Sequence, residues 1–388
     1  MHFKKTHLRA LPFFLFPIAY VLQNPFLEPY GESSTLKLYH IVALLIILNL
    51  RIYLQKTTIL LALLYLISIL IPTFINPFIN TRTVNGVLFT LTLIGSSGAS
   101  AIDRKYASNG SLVAVALISA KMLYQLPVIL TSAYENIEGR PLYPTFMAGG
   151  VNIEITTLFI LTLFSLSKLP HIQLTLLTIS FFLTKTRSLG LIPIAQILAN
   201  LQTQKPARNN KKKHPPLLLT ISAFALLLFL LNQTGFIEIE KITSRITQIF
   251  GGEPGSDGRI LLYQVALNSS HCFVLGCGLG SATAAIASSP LAEFFEDNFH
   301  NVYLQQLFEL GMLGALTYLT LFITSIRHSR RKIQDIGLTS ALLAVFLLNA
   351  VQFNGFELLT AFLLGLGLSH ASQNPCNNNL CEQRQPLL

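Results

Sequence analysis

Charge is what this chain has least of. Only 11% of its 388 residues are Asp, Glu, Lys or Arg, while 52% are hydrophobic. A soluble domain carries about a quarter charged residues, so soluble-enzyme, coiled-coil and soluble nucleic-acid-binding classes are excluded. Acids are scarcer than bases, 17 against 27, for a formal charge of +10. Tryptophan is absent, and four cysteines are too few for a disulfide framework. No long polar tract of the disordered kind occurs. What is present is a succession of apolar runs. The composition predicts an all-α polytopic membrane protein.

A helix needs about 20 mostly apolar residues to cross the hydrocarbon core. By that measure about 12 spans are expected, several of them short. They centre on Leu11–Leu22, Leu36–Leu50, Thr58–Phe74, Val84–Ile102, Ser111–Leu130, Phe146–Leu166, Leu169–Leu183, Leu189–Leu201, Leu217–Asn232, Val302–Ile326, Leu338–Val351 and Phe356–Ser369. Lys4, Lys5 and Arg9 before the first run resemble a signal peptide. No A-x-A-like cleavage site follows, so an uncleaved first span is expected.

Basic residues concentrate in cytoplasmic loops. With a cytoplasmic N-terminus, 18 Lys and Arg fall inside, including Lys211-Lys212-Lys213. Eight fall outside: Lys37, Arg82, Arg140, Lys185, Arg187, Lys241, Arg245 and Arg259. Lys121 lies within a span. Both termini are then cytoplasmic, and sidedness accounts for most of the basic excess without nucleic acid. The division expected is helices 1–9 over residues 1–234, a large periplasmic loop at 235–301, helices 10–12 at 302–370 and a tail at 371–388. The loop is polar, with seven acids and three bases. Its Ile237–Ile249 stretch has helical spacing suited to the membrane surface.

Chemistry-bearing residues cluster around that loop. His300-Asn301 closes it where an apolar helix begins. Asn301 suits an N-cap, its side-chain oxygen accepting a free backbone N–H. His300 then stands at the membrane–water boundary, where an imidazole can serve as a general base; a capping or packing histidine would look the same. Leu275-Gly276-Cys277-Gly278-Leu279-Gly280 has neither a Walker lysine nor a βαβ context. It reads as a turn that lets the backbone pass close to a neighbour. Lys185 and Arg187 are unexpected cations on the outer face. An arginine fork there suits a phosphate, and headgroup snorkelling is the alternative. Cys272 and Cys277 are expected either as a small disulfide or as two thiols. No spacing fits a metal site or a cofactor. Lys121, Glu154, Glu309 and Glu357 fall within spans, where charge is costly and should face the bundle interior or water.

In combination these features resemble the O-antigen ligase and polymerase family of envelope glycosyltransferases. The residues carrying the resemblance are Asp257-Gly258-Arg259, the glycine run 275–280, His300-Asn301-Val302-Tyr303-Leu304 with Glu309-Leu310-Gly311, and Thr186-Arg187-Ser188. They cover about Lys185 to Gly314. Family members commonly carry Trp soon after the loop arginine; Tyr263 stands in for it here.

The resemblance implies transfer of a glycan from an undecaprenyl-diphosphate carrier at the periplasmic face of a bacterial inner membrane. For a ligase the acceptor is the lipid A-core oligosaccharide. It implies Arg187 and Arg259 as cations for the diphosphate and His300 as base or orienter. Lys185, Asn301 and Tyr303 follow as substrate-binding residues. No cofactor is implied. A single dominant outer loop favours ligase over polymerase, with a protein O-oligosaccharyltransferase third. The rival of another class is a secondary transporter or lipid flippase built on Lys121, Glu154 and Glu309, and a binding or scaffold protein is a further one.

Overall fold

The computed structural model describes residues 2–23, 37–48, 54–75, 81–127, 145–147, 150–167, 194–198, 254–289, 298–350 and 357–369, with a few positions between 169 and 176. All regular structure among them is helical. In chain order the helices are α1 (His2–Val21), α2 (Leu38–Leu48), α3 (Lys56–Ile75), α4 (Thr81–Ser97), α5 (Ala101–Tyr124) and α6 (Gly150–Ser165). Then come α7 (Pro254–Asn268), α8 (Cys272–Leu275), α9 (Ser281–Ala287), α10 (Val302–His328), α11 (Ile336–Leu348) and α12 (Leu358–Leu368). A π-helical turn, Ser329–Ile333, continues α10. The Ile237–Ile249 stretch and the expected span at Leu217–Asn232 lie outside the described residues.

Three of these helical stretches are long and apolar enough to cross a membrane: Lys56–Ile75, Ala101–Tyr124 and Val302–Ile333. Five shorter apolar helices accompany them, His7–Val21, Leu38–Leu48, Ile153–Ser165, Ile336–Leu348 and Leu358–Leu368. The chain is a helical membrane protein. The faces of α3 say the same in another way. Thr58, Ala62, Tyr65, Ser68, Ile69 and Pro72 are buried, while Leu60, Leu63, Ile67 and Phe74 are exposed. A water-soluble helix turns its leucines inward; here the inward face carries Thr58, Ala62, Tyr65 and Ser68 beside Ile69, and leucines point out, as helices packed in lipid do.

In two of the expected spans the structure adds a break that the apolar run does not show. Val84–Ile102 was expected as one run, but α4 stops at Ser97. Ser100 then caps α5, accepting from the Asp103 amide while the Asp103 carboxylate accepts from the Ser100 amide, so Ile102 belongs to the next helix. The span expected at Val302–Ile326 is α10, within which the chain departs from helical geometry at Gly311 (φ 69°, ψ −171°).

The chain divides into two compact units. One comprises Met1–Thr203, His271–Ser281 and His300–Leu388. Within it α1 packs on α5, α4 on α12, α3 on α10, and α6 on both α5 and α11. The second comprises Gln204–Ser270 and Ala282–Phe299 and contains α7.

The intramembrane charges of the first unit face inward, as their cost in lipid requires. Lys121 of α5 donates to Glu154 of α6, and both are buried. The other carboxylate oxygen of Glu154 accepts from the Phe146 amide at 2.5 Å, and the Phe146 ring lies 4.9 Å from the Lys121 ammonium. The pair thereby ties residues 145–147 to α5 and α6.

Candidate active site

The His-Asn step is built by helix capping. Asn301 is extended (φ −146°, ψ 108°), and its Oδ1 accepts from the Leu304 amide at 3.1 Å. The expected N-cap is therefore present. His300, half-buried, takes a left-handed backbone conformation with φ 51°. A non-glycine residue pays for that conformation locally, and it persists where its surroundings dictate it.

The first turn of α10, next to the cap, is held to α11 and the residue that follows it. The Val302 amide donates to the Asn349 carbonyl at 2.8 Å, and the Tyr303 hydroxyl donates to the Phe346 carbonyl at 2.6 Å. Asn349 Nδ2 also donates to the Tyr318 hydroxyl at 3.0 Å. Tyr318 stands in an aromatic cluster with Tyr65, Phe89, Tyr303 and Phe322, ring centroids 5.2–6.3 Å apart. Tyr65 donates to Gln306 Oε1 at 3.0 Å, which fixes α3 against the same face of α10.

Lower down, the break at Gly311 receives the glycine run. A helix interrupted there leaves carbonyls without intrahelical partners. The Cys277 amide donates to the Phe308 carbonyl at 3.0 Å and the Gly278 amide to the Glu309 carbonyl at 2.9 Å. The Gly280 amide donates to Glu309 Oε1 at 3.0 Å. Non-helical backbone within a membrane bundle is tolerated only where protein satisfies it, and these three bonds do so. Both sides of the contact need glycine. A Cβ on Gly276 (φ 84°) would meet the Glu309 carbonyl oxygen at 2.5 Å, and one on Gly311 would meet the Gly276 nitrogen at 2.6 Å.

The sequence reading of the 275–280 run as a close-approach turn is thus the arrangement found. Gly278 also has positive φ but nothing within 4 Å of its missing Cβ. Gly276→Ala is therefore expected to lower the melting temperature in detergent clearly more than Gly278→Ala. Both carry the backbone penalty of about 1–3 kcal/mol; only the first also displaces the break. Equal effects would show that the contact at Gly276 carries no weight.

Of the two alternatives left open for Cys272 and Cys277, the structure has the disulfide, which closes α8 onto the glycine run. His271 Nε2 lies 3.6 and 3.9 Å from the two sulfurs. Sulfurs bonded to each other are not thiolates, so this histidine–cysteine trio is no metal centre as it stands.

The side chain at the crossing is Glu309, fully buried. Its Oε1 accepts from Gln305 Nε2 at 2.7 Å and from the Gly280 amide, and it faces Arg82 Nη1 of α4 at 3.6 Å. The sequence marks Glu309 as an intramembrane charge and as part of the Glu309-Leu310-Gly311 motif, and Arg82 only as one of eight outer cations. For Glu309 the signal available was Gln305 four residues earlier, since that spacing puts both side chains on one helix face; Arg82 carried none. Lys185 and Arg187 lie outside the described residues, and Arg259 lies on α7 of the second unit.

Residues 172–319 match a family model described as O-antigen ligase. Over that segment the chain is similar to the O-antigen ligase family. The matched segment takes in the glycine run, the His-Asn cap, Glu309 and the Gly311 break, while their partners Tyr65, Arg82, Phe346 and Asn349 lie outside it. At family level this is glycosyl transfer of the O-antigen ligase or polymerase type, acting on lipid-linked glycans. No curated protein matches the chain.

Proposed function

We propose that the protein is an inverting O-antigen ligase of a bacterial inner membrane. It moves O-antigen glycan from undecaprenyl diphosphate to the lipid A-core oligosaccharide at the periplasmic face. The observation that carries the reading is the family match over residues 172–319, which encloses the capped His300-Asn301 step. In the topology that goes with it, about 12 spans place both termini in the cytoplasm. Residues 235–301 form the periplasmic loop between spans 9 and 10, and residues 371–388 the cytoplasmic tail.

The chemistry assigns three catalytic side chains. The acceptor hydroxyl oxygen attacks the anomeric carbon of the donor as the bond from that carbon to the diphosphate oxygen breaks. The diphosphate departs with the electron pair, and the hydroxyl proton passes to His300. Arg187 and Arg259 offset the charge that develops on the leaving group, which a guanidinium does with two parallel hydrogen bonds. Lys185 adds a third cation for the donor, and Asn301 and Tyr303 are the other substrate-binding residues of this reading. No cofactor is called on. A single displacement inverts the anomeric centre, and no glycosidase-like carboxylate pair is required.

The transporter alternative is less well supported. Lys121 and Glu154 hold each other and residue 146, and Glu309 holds the glycine run, so these charges have structural partners. The deciding experiment is deletion of the gene followed by a lipopolysaccharide gel and analysis of the carrier lipid. Long polymer stranded on undecaprenyl diphosphate is the expected result. Core bearing one repeat unit would make the protein a polymerase, and unchanged banding would overturn the enzyme reading.

A further inference from the structure

Because α10 breaks at Gly311, its outer part, Val302–Leu310, is a separate short helix. Nine residues at 1.5 Å each make it roughly 13 Å long. It does not inherit its direction from the longer inner part, so something else must set it. Its outer end is held by the bonds from Val302 and Tyr303 to α11. Its inner end is held at the Glu309 carboxylate, where α4 contributes Arg82 and the 276–280 run contributes the Gly280 amide. Leu279 of that run is buried and packs where Gly86, one turn along α4 from Arg82, has no side chain. The residue at the far end of this short helix is His300, with its left-handed backbone.

We propose that Arg82 and Glu309 are positioning residues for His300: their ion pair, closed over the glycine run, aims the short helix that presents the imidazole. This rests on the glycosyltransferase reading for its functional consequence. A rigid helix transmits a tilt at its inner end to its outer end, and small misplacements at a reacting centre cost rate far more than binding. A buried carboxylate needs its cation and its amide donors together, because removing one leaves the charge uncompensated. Arg82, one-fifth exposed, reaches Glu309 from the outer turn of α4.

The test uses the full chain in nanodiscs with an undecaprenyl-diphosphate-linked glycan and lipid A-core. Arg82→Met and Glu309→Gln are each expected to lower kcat by about tenfold or more while the donor KM stays within about twofold. The double variant should be no worse than the poorer single one, and Arg82→Lys should recover part of the rate. Wild-type rates in both single variants would overturn the proposal. A raised donor KM with unchanged kcat would also overturn it, since Arg82 would then be binding the donor. Hydrogen exchange provides a readout independent of turnover. In Arg82→Met and Glu309→Gln, the amides of 277–280 and of 302–305 should exchange faster by about tenfold. Exchange at 302–305 like that of the wild type overturns the positioning role even if the wild type transfers no glycan. In that event the failure of transfer counts against the enzyme reading alone.

Discussion

Replacing His300 by alanine is expected to lower transfer from the lipid-linked donor by roughly 10²–10⁴-fold, the range for loss of a general acid–base group. On the proposed mechanism the acceptor hydroxyl then has no group to take its proton, while the diphosphate keeps its cations. Donor affinity should therefore be nearly unchanged, and kcat and kcat/KM should fall together. Replacing Arg259 or Arg187 by alanine should also lower kcat strongly, and in addition weaken retention of the diphosphate. Steady-state kinetics of the three variants with one defined donor separates these patterns. Full activity of His300→Ala would remove the imidazole from the mechanism. The variant must still be folded. Asn301, which caps α10 through its own side chain, is left in place by the substitution, so the helix start should survive it.

The second large effect concerns stability. Lys121→Met is expected to destabilise the first unit by about 3–5 kcal/mol, the usual cost of stranding one member of a buried ion pair. Glu154 would remain fully buried with the Phe146 amide as a donor but no cation. Glu154→Gln should be milder, because the neutral amide still accepts from the Phe146 N–H and Lys121 keeps its place over the Phe146 ring. The double variant Lys121→Met with Glu154→Gln should be more stable than Lys121→Met alone, since no charge is then buried. Denaturation in mixed micelles across the four proteins measures the coupling directly. Purely additive losses would mean that the two groups do not depend on each other. The same set bears on the transporter alternative: lost stability with retained glycan transfer assigns the pair to the scaffold.

The parts of the protein that were legible in the sequence are those set within a few residues of chain. The run from Thr58 to Phe74 has too few polar groups to remain in water, and α3 spans Lys56–Ile75. Asn301 has a short side chain ahead of an apolar helix, and it caps that helix. Ser100 and Asp103 carried their capping box in plain view. The apolar run from Val84 to Ile102 includes Ser100, and hydropathy alone does not register a backbone cap. Gly276, Gly278 and Gly280 marked a close approach without saying to what.

Composition determined that this is a helical membrane protein, because a chain 11% charged cannot present enough polar surface to water. The tertiary structure decided that the glycine run meets α10 at Gly311, that Cys272 and Cys277 join, and that Arg82 answers Glu309. The physical reason is range. Periodicity and capping act over a turn or two of helix, so one sequence records them. The seating of one backbone in the gap of another depends on shape between segments far apart in the chain, and neighbouring residues carry no trace of it. That is how an arginine that sequence analysis counted among eight outer cations comes to lie 3.6 Å from the carboxylate beneath the proposed base.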